Sequence, residues 1–264
     1  MGVPKILSFD LMNSIFNLYK SGKSSTYISN ELGLSQYTIL KCLKDNNIER
    51  RKRKNLVDED YFSVIDTYNK SYLLGYLFAD GYVFHNNNGY RLYGLRLKIH
   101  EKDKHILDFL KSELKSDSLI REEKDTNCLY LTINSKKIAD DLIKLGCTTK
   151  KSLTLKFPNI DSKYYKSFIH GYFDGDGSIY TFKNQIHFKL LGTESFLNTI
   201  RDYFIKMGVG SDYRVMKYPG SNIYQFRIFK KDFIQKIYNL FYSNTNYIFL
   251  NRKKEIFNNI LKIK

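Results

Sequence analysis

The chain has 264 residues, of which 42% are hydrophobic and 16% aromatic. That is enough to bury a core and too apolar for a disordered polypeptide. Lys and Arg number 43 against 27 Asp and Glu, a net charge of +16, so the expected partner is a polyanion, either nucleic acid or an anionic membrane surface. No apolar run approaches the roughly 20 residues of a membrane helix, and Asp10 falls where a signal peptide would be apolar. Cys42, Cys128 and Cys147 are scattered without a CxxC pair, which excludes a disulfide framework and a cysteine zinc site and suits a reducing, intracellular compartment.

The first 49 residues read as helices. Leu11, Ile15, Phe16 and Tyr19 have helical spacing, and Gly22 ends the run. Ile28 and Leu32 form a short apolar face broken by Gly33. Ser35 then offers an N-cap to a segment whose apolar face is Ile39, Leu40 and Leu43. Two short helices about a glycine turn, after a longer one, make a helix-turn-helix pattern. Its second helix would present Gln36, Tyr37, Lys41 and Lys44 to a partner. Residues 50–59 are expected to form a linker. It opens on a basic run that includes Arg51 and Arg53, suited to phosphate contact.

From residue 60 the chain repeats itself, as 60–160 and 161–264. Each copy opens with an apolar helix ending in acid and glycine, SYLLGYLFADGYV at 71–83 and SFIHGYFDGDGSIY at 167–180. Both continue in the order strand, strand, helix, strand, strand, helix. The expected fold is α+β, with duplicated αββαββα halves forming a pseudo-twofold pair of antiparallel sheets beside a small all-α domain. Alternation gives each sheet an apolar face and a wet, basic one. Leu95, Leu97 and Ile99 oppose Arg96, Lys98 and His100. Ile186, Phe188 and Leu190 oppose Gln185, His187 and Lys189, and Tyr224, Phe226 and Ile228 oppose Gln225 and Arg227. Arg, Lys, Gln and His on such a face suit phosphate contact and base-edge readout.

The two opening helices carry the chemistry. Gly75 and Ala79 lie four apart, as do Gly171 and Gly175. Glycines inside helices cost about 1 kcal/mol each relative to alanine, and close packing of one small-residue stripe on the other would offset that. The helix ends would then bring Asp80 and Asp176 together, with Gly81 and Gly177 expected in the left-handed position that terminates helices. Two carboxylates at two helix C-termini disfavour folding. A divalent cation shared with phosphate oxygens, Mg²⁺ or Mn²⁺, would make the arrangement favourable and could activate water against a phosphodiester.

The nine-residue motifs Leu73–Gly81 and Ile169–Gly177 resemble those of the LAGLIDADG homing endonuclease family, in its single-chain, two-motif form. The resemblance covers roughly residues 60–264. It implies Asp80 and Asp176 as catalytic metal ligands, with the adjoining Gly81 and Gly177 counted in the metal site and the two motif helices as the central interface. At the sixth motif position, usually acidic, Asp174 keeps the pattern and Phe78 departs from it. His170 also departs, standing where a small residue is usual. The resemblance further implies a basic residue after the last helix of each half, for which Lys151 and Lys253 are the candidates. The expected function is a monomeric, site-specific double-strand DNA endonuclease cutting a long asymmetric site. An intron maturase that binds intron RNA, or a DNA-binding regulator on the same scaffold, is the alternative. A base-modifying DNA enzyme has no zinc pattern or nucleophile constellation to support it.

Overall fold

Short capped helices build the N-terminal unit. They are α1 (Phe9–Lys20), α2 (Ser25–Leu32) and α3 (Gln36–Asp45). Ser8, Ser24 and Ser35 cap them, each side-chain oxygen accepting from the backbone N–H three residues on, which is worth about 1 kcal/mol per helix. Gly33, at φ +61°, turns α2 into α3. Ile15, Tyr19, Ile28, Ile39, Cys42 and Leu43 form a small core of their own. This is a computed structural model that describes residues 7–49, 56–86, 92–148, 153–210 and 213–263. The chain divides into two units, residues 1–54 and 55–264.

The second unit holds two similar halves. The first runs α4 (Tyr68–Asp80), β1 (Gly81–Asn86), β2 (Leu92–His100), α5 (Lys104–Glu113), β3 (Arg121–Glu122), β4 (Cys128–Ile133) and α6 (Lys136–Lys144). The second runs α7 (Tyr165–Asp176), β5 (Ser178–Phe182), β6 (Gln185–Gly192), α8 (Glu194–Lys206), β7 (Val215–Lys217), β8 (Tyr224–Ile228), α9 (Lys231–Tyr242) and α10 (Asn251–Leu261). Each half folds an antiparallel four-stranded sheet, in the orders β1-β2-β4-β3 and β5-β6-β8-β7.

The registers match between halves. Arg96 lies between Tyr82 and Thr132 in the first sheet, as Lys189 lies between Ser178 and Arg227 in the second. Leu95, Leu97 and Ile99 are buried while Arg96, Lys98 and His100 are exposed, as alternation requires. The second sheet departs from the pattern. His187 and Gln225 sit on its basic face, yet only 5% and 8% of their surface is exposed.

The halves meet along α4 and α7, where small residues are obligatory. A Cβ on Gly75 would fall 2.0 Å from the Phe168 carbonyl oxygen, and one on Gly171 would fall 2.0 Å from that of Tyr72. Phe168 and Tyr72 each stand three residues before the facing glycine, so the contact repeats itself about a pseudo-twofold axis. One apolar core continues from half to half around this pair, with Tyr72, Tyr76, Phe78, Phe168, Tyr172 and Phe173 all buried.

Candidate functional site

Asp80 and Asp176 are the last residues of α4 and α7, and both are exposed. Their helix ends touch. A Cβ on Gly175 would lie 2.2 Å from the Ala79 Cβ and 3.4 Å from the Asp80 Oδ2. After the larger effect of burial, both carboxylates push up the pKa of the Tyr172 hydroxyl. Lys253 feels both as well. The small-residue stripes therefore bring the two helix ends, each closed by an aspartate, close together.

Gly81 and Gly177 are not left-handed. Their φ/ψ angles are −69°/142° and −74°/158°, ordinary extended backbone. Glycine is needed there for space. A Cβ would stand 2.7 Å from the Leu77 carbonyl oxygen at Gly81, and 2.2 Å from a Phe173 ring carbon at Gly177. The chain turns directly from helix into strand across its own last helical turn, and a side chain would block that path.

Lys253 enters from α10. Only 5% of its surface is exposed, and its ammonium donates to the carbonyls of Phe173 and Gly177, the latter at 2.7 Å. It also lies 4.6 Å from the centre of the Phe173 ring. Burial lowers its pKa to about 8 against the opposing pull of Asp174. The ammonium thus braces the end of α7 from below rather than reaching outward. Lys151, its expected counterpart, lies outside the described residues.

The structure adds Asp174, which the sequence reading left without a role. It is fully buried. Its Oδ2 accepts from the Tyr72 hydroxyl at 2.6 Å, across the helix pair, and from the Leu250 backbone N–H at 2.8 Å, at the start of α10. Burial pushes its pKa up to about 6. His170 packs beside it, stacked on Phe241 with ring centroids 4.4 Å apart and its Nδ1 3.3 Å from the Tyr247 hydroxyl. Next to Lys253, Arg252 reaches back to the first half and pairs with buried Asp103, at 2.9–3.0 Å.

The basic faces are partly closed. Arg96 donates to Thr132 Oγ1 at 3.0 Å and lies over Tyr130, and Lys98 pairs with Glu123 at 2.9 Å. Gln185 is exposed, and Lys189 and Arg227 are half-buried. His187 cannot read a base edge as it stands. It is stacked on Tyr180, covered by Phe229, and takes a hydrogen bond from Arg227 at Nδ1. Gln225 is likewise buried. On α3, Tyr37, Lys41 and Lys44 share one exposed face. Gln36 is exposed too, but its amide is engaged by Ser25 and Thr26 of α2. Arg51 and Arg53 lie outside the described residues.

No group of three or more His, Cys, Asp or Glu able to hold a metal occurs among the described residues. Two carboxylates without nitrogen or sulfur donors fit a hard cation that keeps several waters and takes phosphate oxygens. They do not fit a closed zinc site.

Residues 163–241 match the family model of the LAGLIDADG-like domain. Several solved structures share the fold. A lysine-to-alanine variant of I-SmaMI is 13% identical over 73% of this chain and 89% of that one, with a TM-score of 0.54. The I-LtrWI LAGLIDADG homing endonuclease bound to target DNA is 16% identical over 78% and 91%, with a TM-score of 0.51. The LAGLIDADG meganuclease I-AabMI bound to uncleaved DNA is 14% identical over 73% and 88%, with a TM-score of 0.52. I-SmaMI also matches in a complex with uncleaved DNA formed in the presence of calcium ions. No protein with a curated description matches. The two four-stranded sheets and the paired motif helices share the two-half fold of these solved structures. Within it, the second half of this chain carries a LAGLIDADG-like domain.

Proposed function

We propose that the protein is a site-specific, double-strand DNA endonuclease of the homing type, acting through Asp80 and Asp176. The observation that carries this is that two adjacent helix ends are each closed by an exposed aspartate, where a helix dipole disfavours an anion. A bound Mg²⁺ or Mn²⁺ would supply charge neutralisation and an activated water for in-line attack on a phosphodiester. Asp80 and Asp176 would hold it, with the main chain at Gly81 and Gly177 alongside. Lys253 would fix the end of α7 and add positive charge beneath the phosphate, and Lys151 is the candidate for that charge in the first half. A regulator that only bound DNA would have no use for two such acids.

The duplex would lie across the outer faces of the two sheets, met by Arg96, Lys98, Gln185, Lys189 and Arg227. Each acid would serve one strand. The two faces differ residue for residue, so a monomer would read a long asymmetric site. DNA-bound relatives in fold support duplex DNA as the partner. The N-terminal unit would act as a helix-turn-helix, setting Tyr37, Lys41 and Lys44 in the major groove, with Arg51 and Arg53 on the backbone.

The test is digestion of an intron-free genomic DNA pool with Mg²⁺, with the ends sequenced, beside the Asp80→Asn/Asp176→Asn double variant. Discrete ends made by the wild type alone are expected. Equal cutting by the double variant overturns the mechanism.

A further inference from the structure

A second opening lies at the other end of α7, roughly 16 Å from Asp176 by the helical rise. The first turn of α7, with α8 and the segment after α9, encloses a groove of about 840 Å³. Its walls are aromatic and its charge is basic. Tyr68, Tyr165, Tyr203 and Tyr247 line it together with Lys166 and Lys206. Tyr68 is 42% exposed and stacks on Tyr247, while Tyr165 meets Tyr203 edge-on. One acid, Asp202, faces the groove, and it is already paired with Arg201 at 2.7 Å. Lys166 is half-buried, and that burial lowers its pKa, so its ammonium gains from an arriving anion.

This combination selects its ligand. A purely apolar guest has no use for lysines at the rim. A duplex, whose bases are stacked inside it, cannot offer a ring face to recessed tyrosines. Unpaired bases can, and their phosphates follow at lysine spacing. We propose that this groove binds a short single-stranded nucleic-acid segment, with bases against Tyr165 and Tyr203 and phosphates at Lys166 and Lys206. It is a second nucleic-acid site, set apart from the acid pair, and it stands whether or not the protein cuts DNA.

The test is fluorescence anisotropy on the full chain, without divalent metal, using a labelled oligouridylate of about 12 nucleotides. Tyr203→Ala and Lys206→Glu are compared with wild type, with UMP as competitor and a labelled duplex measured in parallel. Tyr203→Ala is expected to weaken oligomer binding about tenfold. Lys206→Glu, at an exposed position, is expected to weaken it severalfold. Duplex affinity should stay unchanged in both, which also shows that they fold. Wild-type oligomer binding by both variants overturns the proposal and places the strand on the sheets. Equal loss of oligomer and duplex binding overturns it by merging the two sites. UMP competing at the oligomer's own affinity overturns it in favour of a mononucleotide pocket.

Discussion

Asp174 accepts a hydrogen bond from the backbone N–H of Leu250 at 2.8 Å, and so ties a motif helix to the start of the helix that carries Lys253. The same oxygen holds Tyr72 of the first half. Removing the carboxylate leaves two buried donors without an acceptor. Asp174→Ala is expected to cost about 2–4 kcal/mol in urea unfolding. Asp174→Asn, which keeps one acceptor oxygen, should cost less. Cleavage should fall with α10 displaced, and wild-type activity in a folded Asp174→Ala protein would break the proposed link.

Single substitutions at the acids separate the two strands. Asp80→Asn and Asp176→Asn, each made alone, should leave supercoiled plasmid nicked at most, with linear product down about 100-fold or more. Target binding should hold within a few-fold. Full linearisation by either variant would show that one acid serves both strands.

The helix pair tolerates no added atom. Gly75→Ala and Gly171→Ala each drive a methyl against a backbone carbonyl, which cannot swing away as a side chain can. Each is expected to cost about 3 kcal/mol or more, and the two should agree because the contacts are related by the pseudo-twofold. Gly220→Ala, at φ +69° with open space around it, should cost only about 1 kcal/mol. A thermal melt that ranks Gly220 above the helix glycines would refute the packing argument.

His170 gives a pH signature in stability. Burial first, then the charges of Lys166 and Lys253, hold its pKa well below the ordinary value of 6.5. The unfolded chain therefore binds a proton that the folded chain refuses. Its share of stability is present above pH 6.5 and is lost as the pH falls, by up to about 1.4 kcal/mol per pH unit. Asp174 and Tyr247 face the same ring. His170→Phe removes the titration, so the variant should gain on wild type between about pH 6.5 and about pH 5. Parallel urea curves at both pH values would exclude it.

Arg252 and Asp103 staple the halves. A double-mutant cycle with Arg252→Met and Asp103→Asn should give a coupling of about 1–2 kcal/mol. That is below a fully buried pair, because 47% of the arginine side chain is exposed. A coupling near zero would reduce the pair to a surface contact.

Sequence pattern reaches as far as patterns are local. The motif helices, the glycine stripes and the β2 alternation are set by spacings of two to four residues, and the structure keeps them. Asp174 is different. Its partners stand 102 and 76 residues away, and no spacing announces them. His187 falls on the side that alternation assigns, but alternation says nothing of the Tyr180 and Phe229 rings that cover it. Gly81 and Gly177 were expected at helix ends for their backbone freedom. They are there because a side chain would strike the turn just completed.

At Gly75 and Gly171 the two halves touch through peptide carbonyls and amides, groups common to every amino acid. Such a contact carries no record of which half is opposite. A half from another protein with the same small-residue stripe could dock there, provided that it also brought a partner for Arg252 and a donor for Asp174. The seam therefore constrains a replacement half at three places, its small-residue stripe, an acceptor for Arg252 and a donor for Asp174, and leaves the outer face of its sheet free to differ.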